Sequence, residues 1–261
     1  MDEIVEELRT AGSVFAEDEA AMLVETASSP DELRAMVEQR VAGLPIQQIV
    51  GWAEFCGMRI QLEPGVFVPR HKTEFLVEKA IGLGKPGDVV LDLCCGSGAI
   101  GVAVAAGLEG IELHAADIEP AAIKCARRNV LPAGGKVWQG DLYEPLPTSL
   151  RGRVNLLLAN APYVPSREVH LMPREARLHE EPVTLDGGED GLEIQRRVIV
   201  GASGWLAPGG HLLIETSDQQ AEGTMEAMAK ADLSTTISVS RELNATVVIG
   251  KNPILRPEIT K

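Results

Sequence analysis

The sequence predicts an α/β fold: a mostly parallel sheet of about seven strands, covered by helices on both faces, behind a small helical domain. Three observations carry this. From residue 88 onward short apolar runs alternate with helical stretches, the order that builds a parallel sheet flanked by helices. The last two strand candidates, Thr235–Val239 and Ala245–Ile249, are joined by only Ser240–Asn244, too few residues for a crossover, so they pair antiparallel. Before residue 44, by contrast, apolar residues recur at helical spacing.

Residues 1–44 read as short amphipathic helices. Ser29 precedes Pro30, Asp31 and Glu32, a good helix start, and Leu33, Met36, Val37 and Val41 follow on one face. From Pro45 to Pro69 the pattern turns mixed and turn-rich, as in a hairpin or connector around Trp52, Phe55, Met58 and Ile60. The division expected is therefore a helical domain over 1–44, a connector over 45–72 and a sheet domain over 73–261. Within the last, a helix is expected over Thr73–Ile81. Strands are expected at Asp88–Leu93, Ile111–Ala116, Lys136–Trp138, Val154–Ala159 and Gly210–Thr216, with helices such as Ala99–Ala106 and Pro120–Asn129 between them.

Composition narrows the function classes. The 261 residues are 45% hydrophobic, ordinary for a folded protein. With 24 basic and 38 acidic side chains the net charge is −14, the wrong sign for gripping a nucleic-acid backbone. Cys56, Cys94, Cys95 and Cys125 show no CxxC spacing and no histidine pairing, so reduced thiols in a cytoplasmic protein are expected. His114, His170, His179 and His211 are scattered, and no metal is expected. The acidic, helical N-terminus does not resemble a signal peptide, and no apolar run reaches the roughly 18 residues of a membrane span. A monomer is expected.

The first predicted strand runs into Cys94-Cys95-Gly96-Ser97-Gly98-Ala99-Ile100-Gly101. Glycines at a strand-to-helix turn let backbone approach a ligand, and the helix start offers free N–H groups. Gly96, Gly98 and Gly101 also spell GxGxxG, with Asp117 at the spacing of a ribose-binding acid in NAD enzymes. Three features favour S-adenosylmethionine over NAD. Asp92, just before the turn, is placed to hold a ligand's amino-acid end, where NAD enzymes usually carry an apolar residue. The antiparallel ending leaves no second nucleotide-binding half. Asp141 follows the third strand, where an adenine amine would lie, while Asp117 at the end of the second can accept two ribose hydroxyls.

The fourth strand delivers Asn160-Ala161-Pro162-Tyr163 to the same rim. This corner suits an amide or amino substrate. An amide nitrogen is a poor nucleophile because its lone pair is delocalised. If the Asn160 oxygen and a backbone carbonyl each accept one of its N–H groups, its electron density rises and its nitrogen can face a sulfonium methyl. Tyr163 can pack flat against the planar group.

These segments resemble the HemK/PrmC family of protein-glutamine methyltransferases, which carry Asn-Pro-Pro-Tyr at this corner. The likeness runs from Pro45-Ile46-Gln47-Gln48-Ile49, Gly51 and Glu54-Phe55 through Val68-Pro69-Arg70 and Thr73-Glu74 to Glu181-Pro182 and Gly187-Gly188-Glu189-Asp190-Gly191-Leu192. The resemblance implies a seven-stranded Rossmann-like class I methyltransferase sheet with an antiparallel last strand, and S-adenosylmethionine as cofactor. With the turn residues it implies a cofactor lining of Asp92, Cys94, Cys95, Gly96, Ser97, Gly98, Asp117, Ile118, Asp141, Leu142 and Asn160. It implies catalytic roles for Asn160, Pro162 and Tyr163, with Ala161, Phe67 and Arg70 also meeting the substrate. The implied substrate is the Gly-Gly-Gln loop of a peptide-chain release factor, or a ribosomal-protein glutamine in a sister group.

The chain departs from the family pattern at Ala161, which replaces a proline, at Cys94-Cys95, which replace Gly-Thr, and at His71-Lys72, which replace Pro-Asp or Pro-Glu. Its helical front is also short, which allows a divergent paralogue with another substrate. The mixed-charge stretch Arg167–Arg177 reads as a loop flanking the cleft, and Glu181 as a structural acid. Two other readings stay open: an adenine amino-methyltransferase acting on DNA or RNA, and a degenerate module that binds without catalysis.

Overall fold

The computed structural model describes residues 1–172 and 174–254. Helices α1 (Asp2–Thr10), α2 (Ala16–Thr26) and α3 (Pro30–Val41) form the front of the molecule. Ser29 caps α3 as its sequence foretold: its Oγ accepts the Glu32 N–H at 3.2 Å, while the Glu32 carboxylate accepts the Ser28 N–H at 2.7 Å. A short helix α4 (Ile46–Val50) follows, where the sequence suggested only a connector. Its Ile46 and Val50 complete the apolar cluster of Leu8, Leu23 and Val37, and that burial holds a helix too short to persist alone. Strands β1 (Trp52–Phe55) and β2 (Met58–Gln61) then pair antiparallel. Cys56 and Gly57 both take positive φ at their turn, the backbone that a two-residue hairpin requires.

The sheet domain comprises α5 (Glu74–Leu83), β3 (Val89–Leu93), α6 (Ala99–Gly107), β4 (Glu112–Asp117), α7 (Pro120–Val130), β5 (Lys136–Gln139), β6 (Val154–Ala159), α8 (Arg174–His179), α9 (Glu193–Ala202), β7 (Leu206–Thr216), α10 (Ala221–Lys230), β8 (Ser234–Ser240) and β9 (Ala245–Lys251). The sheet order is β5-β4-β3-β6-β7-β9-β8. Strands β3 to β7 pair parallel, and β9 runs antiparallel to both β7 and β8. All seven predicted strands are present. β7 begins four residues earlier than expected, because Leu206 reaches Val154 across a register shift in β6. A 3₁₀ turn at His71–Thr73 precedes α5, so Thr73 lies at the helix entrance rather than inside it.

Alternation along β3 shows why both faces are covered. Val90 joins Leu76, Ile100, Val104 and Ala126 of α5, α6 and α7. Leu91 and Leu93 join Val198, Ile199 and Met228 of α9 and α10. Every β3 residue is buried, as a central parallel strand requires. From β3 the chain moves outward through β4 and β5, then returns through β6 on the other side. The helices consequently diverge beyond the carboxyl ends of β3 and β6, where such sheets leave a crevice.

Candidate active site

Beyond β3 the chain turns through Cys94–Gly98 into α6. Cys94, Gly96 and Gly98 all take positive φ, at 55°, 54° and 79°. At Cys94 this left-handed backbone costs on the order of 1 kcal/mol for a side-chain-bearing residue. The Gly96 N–H donates to one Asp117 oxygen at 2.8 Å, and the Glu119 N–H donates to the other at 3.0 Å. Asp117 therefore ties the turn to the start of α7, and each oxygen keeps a further lone pair for a hydroxyl. Burial raises its pKa against these N–H bonds. At Gly98 a Cβ would lie 2.6 Å from Val130 Cγ2, so glycine there lets α6 start close against α7.

Asp92 lies behind the turn, fully buried. Its Oδ2 accepts the Gly101 N–H at 2.9 Å, and its Oδ1 has no hydrogen-bond partner. Burial pushes its pKa up to about 7; the Gly101 N–H opposes the shift and the Asp117 charge adds to it.

At the end of β6 the Asn160 Nδ2 donates to Thr73 Oγ1 at 3.3 Å. The Lys72 ammonium donates to the Tyr163 hydroxyl at 2.5 Å, and that hydroxyl lies 3.5 Å from a Glu215 oxygen. Lys72 Nζ is itself 3.6 Å from the same carboxylate, whose side chain is 1% exposed. Burial works against the Lys72 charge, but Tyr163 and Glu215 more than restore it, so its pKa sits above the usual value. Burial raises the Glu215 pKa, opposed by Thr73, Lys72 and Tyr163.

The glycine-rich segment holds the corner from outside. The Gly187 N–H donates to Val164 O at 2.9 Å, the Val164 N–H to Leu185 O at 3.1 Å, and Gln220 Nε2 to Tyr163 O at 2.8 Å. A Cβ on Gly187 would stand 2.7 Å from Pro162 O and 2.8 Å from Tyr163 Cα. Backbone meets backbone here, and only glycine permits it.

Between turn and corner lies a cavity of about 430 Å³. Cys94, Cys95, Gly96, Ser97, Asp117, Ile118, Asp141, Leu142, Asn160, Ala161, Pro162, Tyr163, Phe67 and Arg70 all border it; Asp92 and Gly98 do not. Asp92 reaches it only through the turn it braces. Lys72, Thr73 and Arg197 border it as well, in roles that the sequence reading did not foresee. Glu215 stands behind the wall, and its one sequence signal is an acid interrupting the apolar run Leu212–Ile214. Arg167–Arg177 brings Met172 to the rim, while Pro173 within it lies outside the described residues.

The donor set decides which ligand fits. Arg70 is ion-paired at 2.5 Å with the buried Glu180, Arg197 at 2.5 Å with Asp141, and Lys72 with Glu215. Each bordering arginine or lysine is thus matched by an acid. A pyrophosphate would face Asp117 and Asp141 without a spare cation, whereas ribose hydroxyls, an adenine amine and a sulfonium suit carboxylates and neutral thiols. Burial pushes the Cys94 and Cys95 thiols up, so they stay uncharged. The residues present fit S-adenosylmethionine. Among the described residues no three His, Cys, Asp or Glu gather as for a metal.

Comparison with known proteins agrees. Residues 57–188 match the family described as the methyltransferase small domain. The release factor glutamine methyltransferase of Geobacter sulfurreducens is 38% identical over 199 residues, 74% of this chain and 69% of that protein. The 4-amino-L-phenylalanine/4-methylamino-L-phenylalanine methyltransferase of Streptomyces pristinaespiralis is 36% identical over 191 residues, 70% of this chain and 65% of that protein. Among solved structures, a methyltransferase from Pyrococcus furiosus shares the fold with a TM-score of 0.58 at 17% identity, covering 85% of this chain and 98% of that one. A turn, a carboxylate pair and an asparagine corner around one cavity, in a chain with these relatives, place it in the S-adenosylmethionine-dependent release factor glutamine methyltransferase family.

Proposed function

We propose that this chain transfers a methyl group from S-adenosylmethionine to a glutamine side-chain amide, and that its substrate is the Gly-Gly-Gln loop of a peptide-chain release factor. The observation that carries this is the orientation of Asn160. Its amide nitrogen is taken by Thr73, so its carbonyl oxygen is the end left for a substrate. An acceptor at that point selects an incoming N–H donor.

When bound, S-adenosylmethionine supplies an electrophilic methyl on a cationic sulfur. Gly96, Asp117 and Asp141 are the residues to hold it, with Ile118 and Leu142 as apolar walls. The Asn160 oxygen and a backbone carbonyl of the corner accept the two N–H groups of the substrate amide, raising density on nitrogen and aiming it. Pro162 and Tyr163 flank the planar group. Transfer would exchange the methyl's bond to sulfur for one to nitrogen, the electron pair staying on sulfur as a neutral thioether; the nitrogen's proton then becomes acidic, and solvent suffices to take it. Ala161 in place of proline leaves the backbone carbonyl in being, and Pro162 still biases it to an extended conformation.

The 1–44 helices serve in this reading to dock the partner protein, the 45–72 segment to join them to the catalytic domain over 73–261. A cytoplasmic workplace follows from a release-factor substrate, and all four cysteines are unpaired. The test is incubation with methyl-labelled cofactor and a release factor, followed by peptide mass spectrometry. Label on the Gly-Gly-Gln glutamine is expected. Label confined to nucleic acid, or to a free aromatic amine, would refute the assignment.

A further inference from the structure

We propose that Asn129, near the end of α7, is a positioning residue for cofactor binding, holding the glycine turn and the connector in one register with a single carboxamide. Asn129 does not border the cavity and acts through Ser97, which does. Its Oδ1 accepts the Gln61 N–H at 2.9 Å, and its Nδ2 donates to Gln61 O and to Ser97 O, each at 2.9 Å. These partners fix the orientation of the carboxamide. Turned over, it would set its NH₂ against an N–H and its oxygen against two carbonyls. The inference concerns the cofactor side of the cavity and stands whichever acceptor is methylated.

Ser97 stands between Gly96 and Gly98, whose φ values are 54° and 79°. The peptide joining Ser97 to Gly98 is tied at both ends, its carbonyl to Asn129 and its N–H to Cys95 O at 2.7 Å. Turning that peptide over changes ψ at 97 and φ at 98, and glycine accepts either sign of φ. Local geometry therefore leaves its orientation open. Asp117 holds the turn at Gly96, and Asp92 braces Gly101; neither bond involves this peptide. Asn129 supplies the missing tie from the α7 side. The approach is close there, since a Cβ on Gly98 would stand 2.6 Å from Val130 Cγ2.

The same carboxamide closes on the end of β2. Cys125, one turn earlier on the same face of α7, donates its Sγ–H to Gln61 O at 3.1 Å. Lys124 and Arg128 pair with Glu63 at 2.7 and 3.0 Å. From there the connector runs on to Val66, Phe67 and Arg70, which border the cavity. Glycine turn and connector thus share one support, and the cofactor meets both already placed. Such preorganisation lowers the ordering cost of binding.

The test uses Asn129→Ala, Asn129→Asp and Glu63→Gln in the full chain. It reads S-adenosylmethionine Kd by calorimetry, KM for a release factor, and the ¹³C carbonyl resonance of Ser97. Asn129→Asp keeps an acceptor for the Gln61 N–H and loses both donors, so it serves if Asn129→Ala does not fold. Both are expected to weaken cofactor binding about 10-fold, the scale of one lost hydrogen bond, with KM within about 2-fold. The Ser97 carbonyl resonance should move in both. Glu63→Gln loosens the connector without touching the turn, so cofactor Kd should stay within about 2-fold and the Ser97 resonance in place. Unchanged cofactor Kd in a folded Asn129 variant would overturn the proposal. Equal weakening by Glu63→Gln would overturn it too, since the connector alone would then account for the effect. Wild-type protein that leaves glutamine unmethylated would instead refute the substrate reading, and the Kd and resonance comparison would still decide the role of Asn129.

Discussion

Asn160 is where chemistry and position meet, because a short polar side chain sits at the end of an otherwise buried strand. Replacing it with alanine removes the acceptor that the proposed mechanism sets against the reacting amide. Turnover is expected to fall roughly 100- to 1000-fold, about 3–4 kcal/mol, while calorimetry shows cofactor affinity falling far less. Near-normal turnover would remove Asn160 from the mechanism. Asp92 gives a second prediction, for stability against pH. Its pKa is about 7 in the folded chain against an ordinary 3.8, so the folded state holds its proton more tightly than the unfolded one. Stability from this group is complete below about pH 4 and is lost as pH rises toward 7. Asp92→Asn carries no such dependence, so the variant should gain on wild type in urea midpoint across that window. A gap that stays constant with pH would show that Asp92 is not held as described.

The glycine-rich segment 187–191 acts as an element without regular structure. It supports the corner at residues 160–163 with its backbone, Gly187 and Gly191 being seated against residues 162–163 and Gln220 bridging Asp190 O to Tyr163 O. Gly187 does not need a left-handed backbone, so Gly187→Ala isolates the steric contact from conformational strain. The added methyl must displace Pro162 or Tyr163. Loss of roughly 1–3 kcal/mol of stability is expected, with a kcat decrease of about 10-fold and an unchanged cofactor Kd. Full activity would mean that the corner tolerates the shift. The short helix α4 shows the reverse relation, an element whose own sequence is indifferent and whose burial against α1–α3 makes it helical.

For the whole molecule, the cavity unites residues from positions 65 to 197, so its ligand should bind the folded state only. Cofactor at about 100 times its Kd should stabilise the chain by about 2.7 kcal/mol, read as a rise in melting temperature. NADH at the same concentration should give none, since every bordering arginine and lysine is already matched by an acid. Equal stabilisation by NADH would reopen the dinucleotide reading that Gly96, Gly98, Gly101 and Asp117 permit by spacing alone. No helix among the described residues is long and apolar enough to cross a membrane.

Features that depend on neighbours along the chain are legible in the order of residues. Strand alternation, the Ser29 cap, the glycine turn and the polar corner after an apolar strand are local patterns, and each lies in the structure where its pattern put it. The division of labour among the acids arises from packing in three dimensions. Asp92, Asp117 and Asp141 look alike in sequence, yet one braces a helix from behind the turn while two border the cavity. Likewise nothing in the sequence joins Lys72 to Glu215, or Thr73 to Asn160, each far away along the chain. Their link exists because β6 and β7 are neighbours in the sheet and α5 enters beside them, and a hydrogen bond is set by distance in space rather than along the chain.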